Sequence, residues 1–252
     1  MLIKMTVSIG NQNYIVDLSN PIDLSLPLIN SDKNPRAWHQ DQPLIEPVKM
    51  GDWVGKVSEG ASINFNNIAF NPHAHGTHTE SYGHISERFV SVNDCLKSYF
   101  FIAKLFSVKP EKIGADDVIT MKTFPFDNHE PDVQAYIIRT LPNLKSKKSK
   151  LWTGSNWPYL SKEVAAFLKD SGVMHLLIDL PSVDKEHDGG KLTAHKTFWN
   201  YPRAPRKEAT ITEMIFVPNT VKEGLYLLNL QVAPFENDAS PSRPIIYPLS
   251  AT

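Results

Sequence analysis

The chain has one cysteine, Cys95, in 252 residues. It therefore has no intrachain disulfide framework and no zinc site built from cysteines. Neither sign of charge is in excess: 26 Lys+Arg face 27 Asp+Glu, for a formal charge of -1. A general nucleic-acid binder would carry a basic stripe with interleaved aromatics, and none is present. No apolar run approaches the roughly 20 residues that cross a bilayer. The N-terminal segment lacks a signal-peptide core followed by a cleavage site, so the expected location is the cytoplasm, away from membranes. Internal repeats and low-complexity stretches are also absent. Glycine is scarcer than proline, 12 against 19, which implies many fixed loops and short elements rather than a helix bundle. The one charge run, 145–150 (KSKKSK), reads as a solvated loop.

The composition is 41% hydrophobic and 21% charged, which is globular. Met5–Ile9 and Tyr14–Leu18 alternate apolar and polar around Gly10-Asn11-Gln12-Asn13, predicting a hairpin. Residues 20–50 are proline-rich and read as a long ordered loop. Strands are expected at Ile63–Phe70, Tyr99–Val108, Ala135–Leu141, Val173–Leu180, Leu225–Ala233 and Arg243–Leu249. A helix follows Pro158, with Ser161 as N-cap, an apolar stripe of Val164, Phe167 and Leu168, and Gly172 as terminator. The pattern is mixed α/β with more strand than helix, in one domain spanning 1–252.

The histidines are not spread evenly. Nine occur in the chain, and four of them fall in the segment Asn71-Pro72-His73-Ala74-His75-Gly76-Thr77-His78-Thr79-Glu80-Ser81-Tyr82-Gly83-His84. Imidazole is the commonest neutral metal ligand, and a nearby carboxylate completes or bridges a site. In an extended segment His78 and Glu80 face the same side. Gly76 is expected to turn the backbone tightly enough to converge the side chains. A histidine-rich surface loop, metal binding without catalysis and metal-free acid–base chemistry are the competing readings. His39, His129, His175 and His187 have no spacing partner, and His175 reads as a core or edge residue.

Gly76-Thr77-His78-Thr79-Glu80, with His84 four residues later, resembles the cyclase family, which includes bacterial kynurenine formamidases and isatin hydrolases. The family signature is His-x-Gly-Thr-His-x-Asp followed by a further His. The resemblance extends to Asp17-Leu18-Ser19-Asn20-Pro21-Ile22, Arg139-Thr140 and Asp179-Leu180-Pro181-Ser182-Val183-Asp184. It continues through Ala194-His195, Ile211-Thr212-Glu213 and Ser240-Pro241-Ser242-Arg243. It implies a single mixed-sheet domain, the swivelling β/β/α fold of the family. It also implies a binuclear centre of Zn²⁺ or Mn²⁺, with two ions per chain. His73 and His78 would hold one ion and His195 and Glu213 the other, Glu80 would bridge, and His84 would serve as general acid and base. The implied activity is metal-dependent hydrolysis of a small amide, an aryl formamide or a cyclic amide. A non-hydrolytic cyclisation or dehydration and a non-catalytic binding protein are the rivals. Homodimers or homotetramers are implied, with 20–50 as an exchanged arm or lid.

Three departures stand out. The first two histidines of the signature are normally four apart, a position held here by Ala74, so His73 and His75 compete for the role. Glu80 replaces Asp. Tyr82 replaces the family proline, which makes it the expected substrate contact. Glu208 is an alternative to Glu213. Trp53, Phe126, Trp152, Trp157 and Trp199 are further candidates for an aromatic pocket wall. The Asp179–Asp184 block reads first as a turn.

Overall fold

The computed structural model describes residues 3–125 and 132–251. Phe126 and His129 lie outside the described residues. The fold is mixed α/β around an 11-stranded sheet. Ten strands run edge to edge in the order Lys4–Ile9, Gln12–Asp17, Ile245–Ala251, Gly224–Asn229, Phe100–Val108, Ala135–Thr140, His175–Ile178, Thr210–Glu213, His78–Glu80 and Ala239–Pro241. Ile22–Asp23 adds to Ile245–Ala251 off that path.

Four central strands, from Phe100–Val108 to Thr210–Glu213, are mutually parallel, and antiparallel strands flank them. Parallel strands need both faces covered, and every residue of Ala135–Thr140 is buried. Alternation divides the apolar side chains between two cores. Tyr136, Ile138, Leu176, Ile178 and Ile211 face a core containing Trp152, Trp157, Trp199 and the helices. Ala135, Ile137, Leu177, Leu105 and Leu228 face the other.

The expected hairpin forms with the register Lys4↔Asp17 to Ile9↔Gln12. The helix spans Lys162–Asp170, and the Ser161 hydroxyl accepts from the Val164 N–H at 3.4 Å. Val164 and Leu168 are fully buried, and Gly172 supplies the left-handed φ of +75° after the helix. The expected 63–70 strand is shorter, Asn66–Ala69, and pairs outside the main sheet with Leu44–Pro47. Residues 20–50 are not loop throughout: Ile22–Asp23, Leu44–Pro47 and Lys49–Met50 are short strands.

The solvated-loop reading of 145–150 needs correction. Residues Lys145–Ser149 form a 3-10 turn that drives Lys147 inward. Its ammonium lies 2.8 Å from the Asp179 carboxylate, whose side chain is completely buried. Lys148 and Lys150 lie over the rings of Phe216 and Trp152. Long lysine stems cover apolar surface in this way, and a charge run read from sequence conceals it.

His175 is a core residue, as expected. It is 5% exposed, its Nδ1 lies 2.9 Å from the Thr210 hydroxyl, and its ring packs 4.0 Å from Phe101. Burial, with Arg206 nearby, pushes its imidazolium from 6.5 down to about 3. The unfolded chain therefore takes up a proton that the folded chain refuses. Stability from this group is complete above pH 6.5 and drains as pH falls towards 3, at about 1.4 kcal/mol per unit. The His175→Gln variant keeps a polar group near Thr210 and should lack this slope. Urea unfolding at pH 7 and pH 4.5 should show a smaller acid loss in the variant. Equal losses would contradict the assignment.

Candidate metal centre

The site is built on the His78–Glu80 strand, which lies between Thr210–Glu213 and Ala239–Pro241 and is antiparallel to both. Register puts Glu213 directly opposite His78, and cross-strand partners share a face. His78 Nε2 is 3.5 Å from Glu213 Oε2. Glu213 is further fixed by the Val183 N–H, which donates to Oε1 at 2.9 Å. On the opposite face Thr79 and Thr212 join hydroxyls at 2.8 Å. Thr77 ties two loops to the strand, accepting from the Leu26 N–H and donating to the Met214 carbonyl.

His73 comes from the one-turn helix Pro72–His75, which Asn71 caps by accepting from the His73 N–H at 2.9 Å. This turn accommodates the extra residue before Gly76. It points His73 towards Glu80, with Nδ1 3.1 Å from Oε2, and turns His75 away. His75 Nδ1 accepts from the Asn71 N–H at 2.8 Å and Nε2 donates to the Asp41 carbonyl at 2.6 Å, so both its nitrogens are used elsewhere. The expected tight turn at Gly76 is not found. Gly76 is extended, at φ 167°, and the helical turn before it supplies the change of direction.

His195 comes from the helix Thr193–Trp199, whose first residue follows Leu192 with no side-chain cap of its own. Asp184 does the capping from outside, accepting from the Ala194 and His195 N–H groups at 2.7 and 3.1 Å. The same carboxylate accepts from His195 Nδ1 at 2.6 Å. That leaves His195 Nε2 3.0 Å from Glu80 Oε1 and 3.7 Å from Glu213 Oε1. In the Asp179–Asp184 block the turn reading applies at Ser182, whose hydroxyl accepts from the Asp184 N–H at 3.1 Å, while the two carboxylates bond outside the block. Asp179 binds the Thr140 N–H and hydroxyl, whereas Asp184 orients a site histidine.

His84 sits on the 3-10 turn Tyr82–Ile85, with its ring 4.2 Å from that of His73. Gly83 is required here, because a Cβ would collide with the Val90 carbonyl. Asp238, absent from the sequence reading, lies 2.9 Å from His73 Nε2 and 3.3 Å from His84 Nδ1. No signature residue announces it. The available signal was an acid two residues before Ser240-Pro241-Ser242-Arg243, and pairing of that strand with the histidine strand is not legible from sequence.

The aromatic candidates separate. Trp152, Trp157 and Trp199 are core residues, at most 3% exposed; Trp152 and Trp157 line a cavity beside Lys147, and the Trp199 ring packs 5.4 Å from that of His195. Trp53 is half-buried in the Lys49–Met50/Trp53–Val54 hairpin. Tyr82 is half-buried and packs against the main core. Phe70 and Phe235, which sequence reasoning missed, stand three residues before His73 and Asp238, and their rings meet at 6.0 Å. Glu208 is exposed and remote from the cluster, near Cys95.

Charge is concentrated and buried. Glu80, His78, His195 and Glu213 are at most 3% exposed. Burial opposes the Glu80 anion, yet His84, His195 and His73 hold its carboxyl well below the usual carboxylate range. Burial also opposes the His73 cation, but Asp238 and Glu80 raise it to about 10. Asp184 and Glu80 likewise lift His195 well above its ordinary value.

Among the described residues, two buried atoms of this cluster lack a hydrogen-bond partner: His78 Nε2 and Glu80 Oε2, the latter near His73 but misaligned for a bond. Leaving such groups unpaired costs about 1–3 kcal/mol each. His78 donates its other nitrogen to the Gly76 carbonyl, so the orphan Nε2 carries a lone pair facing the carboxylates. Among the described residues, three overlapping trios have ligand atoms within 4.8 Å of one another: His73–His78–Glu80, Glu80–His84–His195 and His73–His84–Asp238. An oxygen and imidazole donor set with orphaned lone pairs fits a divalent metal ion.

The Cyclase family model matches residues 16–185. The chain belongs to the cyclase family. Similar curated proteins include the kynurenine formamidases of Bacillus cereus, 26% identical over 230 residues, and Bacillus anthracis, 24% identical. Each alignment covers 90% of this chain and 97% of the relative. Among solved structures, the isatin hydrolase A of Ralstonia solanacearum aligns at TM-score 0.61 and 14% identity over 92% of both chains. An isatin hydrolase bound to thioisatinate aligns at 0.60 and 12%, covering 92% of this chain and 93% of that one. A predicted metal-dependent hydrolase from Bacillus stearothermophilus aligns at 0.59 and 19%, over 90% and 98%. These likenesses agree with the mixed α/β fold. No described helix of this cyclase-family chain is long and apolar enough to cross a membrane.

Proposed function

We propose that this cyclase-family chain, taken as one domain over 1–252, is a metal-dependent hydrolase acting on the C–N bond of a small amide, an aryl formamide or a cyclic amide. The observation that carries this reading is Glu80. It is fully buried and faces His195 through one oxygen and His73 through the other. Relatives bearing the names kynurenine formamidase and isatin hydrolase support the substrate class.

In this reading His73 and His78 would hold one ion, His195 and Glu213 would hold a second, and Glu80, which faces both His73 and His195, would serve both. The metal is Zn²⁺ or Mn²⁺. Such ions would supply the Lewis acidity that activates water and polarises a carbonyl at neutral pH. The chain's own residues do the rest. Asp184 and the Gly76 carbonyl fix which nitrogens of His195 and His78 face the centre. His84 has a side chain 30% exposed beside Glu80, where it can reach a substrate and hand a proton to the leaving nitrogen. In this reading Tyr82, Phe70 and Phe235 would give the substrate its aromatic contacts.

The test is hydrolysis of an aryl formamide in ¹⁸O-labelled water. Label in the released formate is the expected outcome. Turnover without label would favour non-hydrolytic chemistry, and metal uptake without turnover of any amide would favour a binding protein.

The reading includes a cytoplasmic homodimer or homotetramer. Leu44, Met50, Val57, Ile63, Phe65 and Ile68 expose apolar side chains on one segment, as an association surface would. Light scattering should give two or four times the chain mass, and a monomer would end this part of the proposal.

A further inference from the structure

We propose that Asp238 is a positioning residue for this site. One of its carboxylate oxygens takes N–H bonds from both His73 and His84, fixing which nitrogen of each ring keeps its lone pair. The inference rests on the metal-centre reading for His73 and stands independently of it for His84.

Pairing of Ala239 with Glu80 brings the 238 position beside the end of the histidine strand. The Ser81 N–H donates to the Asp238 carbonyl at 2.9 Å, and the Val92 N–H donates to that of Asn237 at 2.8 Å. The main chain on either side is therefore anchored, and the carboxylate is placed by the fold rather than by the rings it meets. Asp238 Oδ2 is 2.9 Å from His73 Nε2 and 3.3 Å from His84 Nδ1. The two rings lie 4.2 Å apart with a 32° tilt, so one acceptor serves both edges.

Each ring has two nitrogens, and the one that donates outward decides the role of the other. With Nε2–H given to Asp238, His73 presents Nδ1 towards Glu80, 3.1 Å away. With Nδ1–H given to Asp238, His84 keeps Nε2 for the substrate. Asp184 performs the first of these services for His195. Asp238 performs it for His73, and joins that ligand to the acid–base histidine through one shared oxygen.

The experiment compares wild type, Asp238→Asn and Asp238→Ala, each checked for a cooperative urea transition. Zn²⁺ affinity is measured by chelator competition. Histidine tautomers are read from long-range ¹H–¹⁵N spectra of metal-free and Zn²⁺-loaded protein. In wild type, His84 should be the Nδ1–H tautomer in both forms, and His73 should carry Nε2–H when loaded. Asp238→Ala should lower Zn²⁺ affinity about 10–100-fold and leave His84 as a mixture of tautomers. Asp238→Asn, which keeps an acceptor without the charge, should fall between. If Asp238→Ala does not fold, Asp238→Asn decides by the same two readouts.

Unchanged affinity with an unchanged His84 tautomer would overturn the inference. So would loss of one whole ion in Asp238→Ala with His84 Nδ1 metal-bound in wild type, since Asp238 would then be a ligand. If wild type binds no metal, the centre fails as a reading, and the tautomer of metal-free His84 still decides the inference for that ring.

Discussion

Replacing Glu80 with glutamine should abolish the proposed paired centre. Metal content falls below one ion per chain, and amide hydrolysis falls by much more than the roughly 10–100-fold that loss of an outer-shell partner costs. The reason is charge and position together. Glu80 is fully buried, its Oε1 lies 3.0 Å from His195 and its Oε2 3.1 Å from His73, so it approaches both halves of the cluster more closely than Glu213, which stands 3.5 Å from His78 and 3.7 Å from His195. A glutamine amide has the same length, carries no charge and presents an N–H where an oxygen is needed. Glu80→Asp is the informative companion. It restores the family residue but retracts the carboxylate by one methylene in a cluster spaced for glutamate, so it should retain at least one ion and turn over slowly. Both variants are measured by mass-spectrometric metal content and aryl-formamide turnover. A fully loaded, active Glu80→Gln protein would remove Glu80 from the centre.

The second large effect is on stability, remote from the chemistry. Lys147→Met should destabilise the fold by about 3–5 kcal/mol, because it leaves Asp179 as a buried charge without its cation. The Lys147 ammonium also donates to the Thr140 carbonyl at 2.7 Å, so the substitution loosens the turn as well. Lys148→Met, one residue on, should stay within about 0.5 kcal/mol, since Lys148 only lies over Phe216 at 5.4 Å. Urea titration of both variants decides the matter. Equal effects would mean that the Lys147–Asp179 contact at 2.8 Å contributes nothing specific.

How far the sequence goes is shown by particular residues. The hairpin, the helix after Pro158 and the buried central strands are legible, because alternation, capping and apolar runs are local signals. The edge elements are less so. The 63–70 segment alternates convincingly but is exposed along Asn66–Ala69 and pairs only with a short strand, a tertiary outcome that periodicity does not encode.

At the site, the motif brought His73, His78, Glu80, His84, His195 and Glu213 to notice, and the structure gathers all six. The competition between His73 and His75 was undecidable by spacing, because it turns on a single helical turn before an extended Gly76. Asp184 was seen as a turn residue and Asp238 not at all. Outer carboxylates are defined by which backbone passes behind a histidine, and no short motif states that. Lys147 was misread for the converse reason, since a basic run looks solvated until its buried partner is known.

The central claim is that a pair of ions sits at this cluster, held by His73 and not by His75. Its most direct test is metal content of purified protein reconstituted with Zn²⁺ or Mn²⁺, beside His73→Ala and His75→Ala. Two ions per chain in wild type and in His75→Ala, with fewer in His73→Ala, is the predicted result. No bound metal in wild type, or a loss confined to His75→Ala, would contradict it.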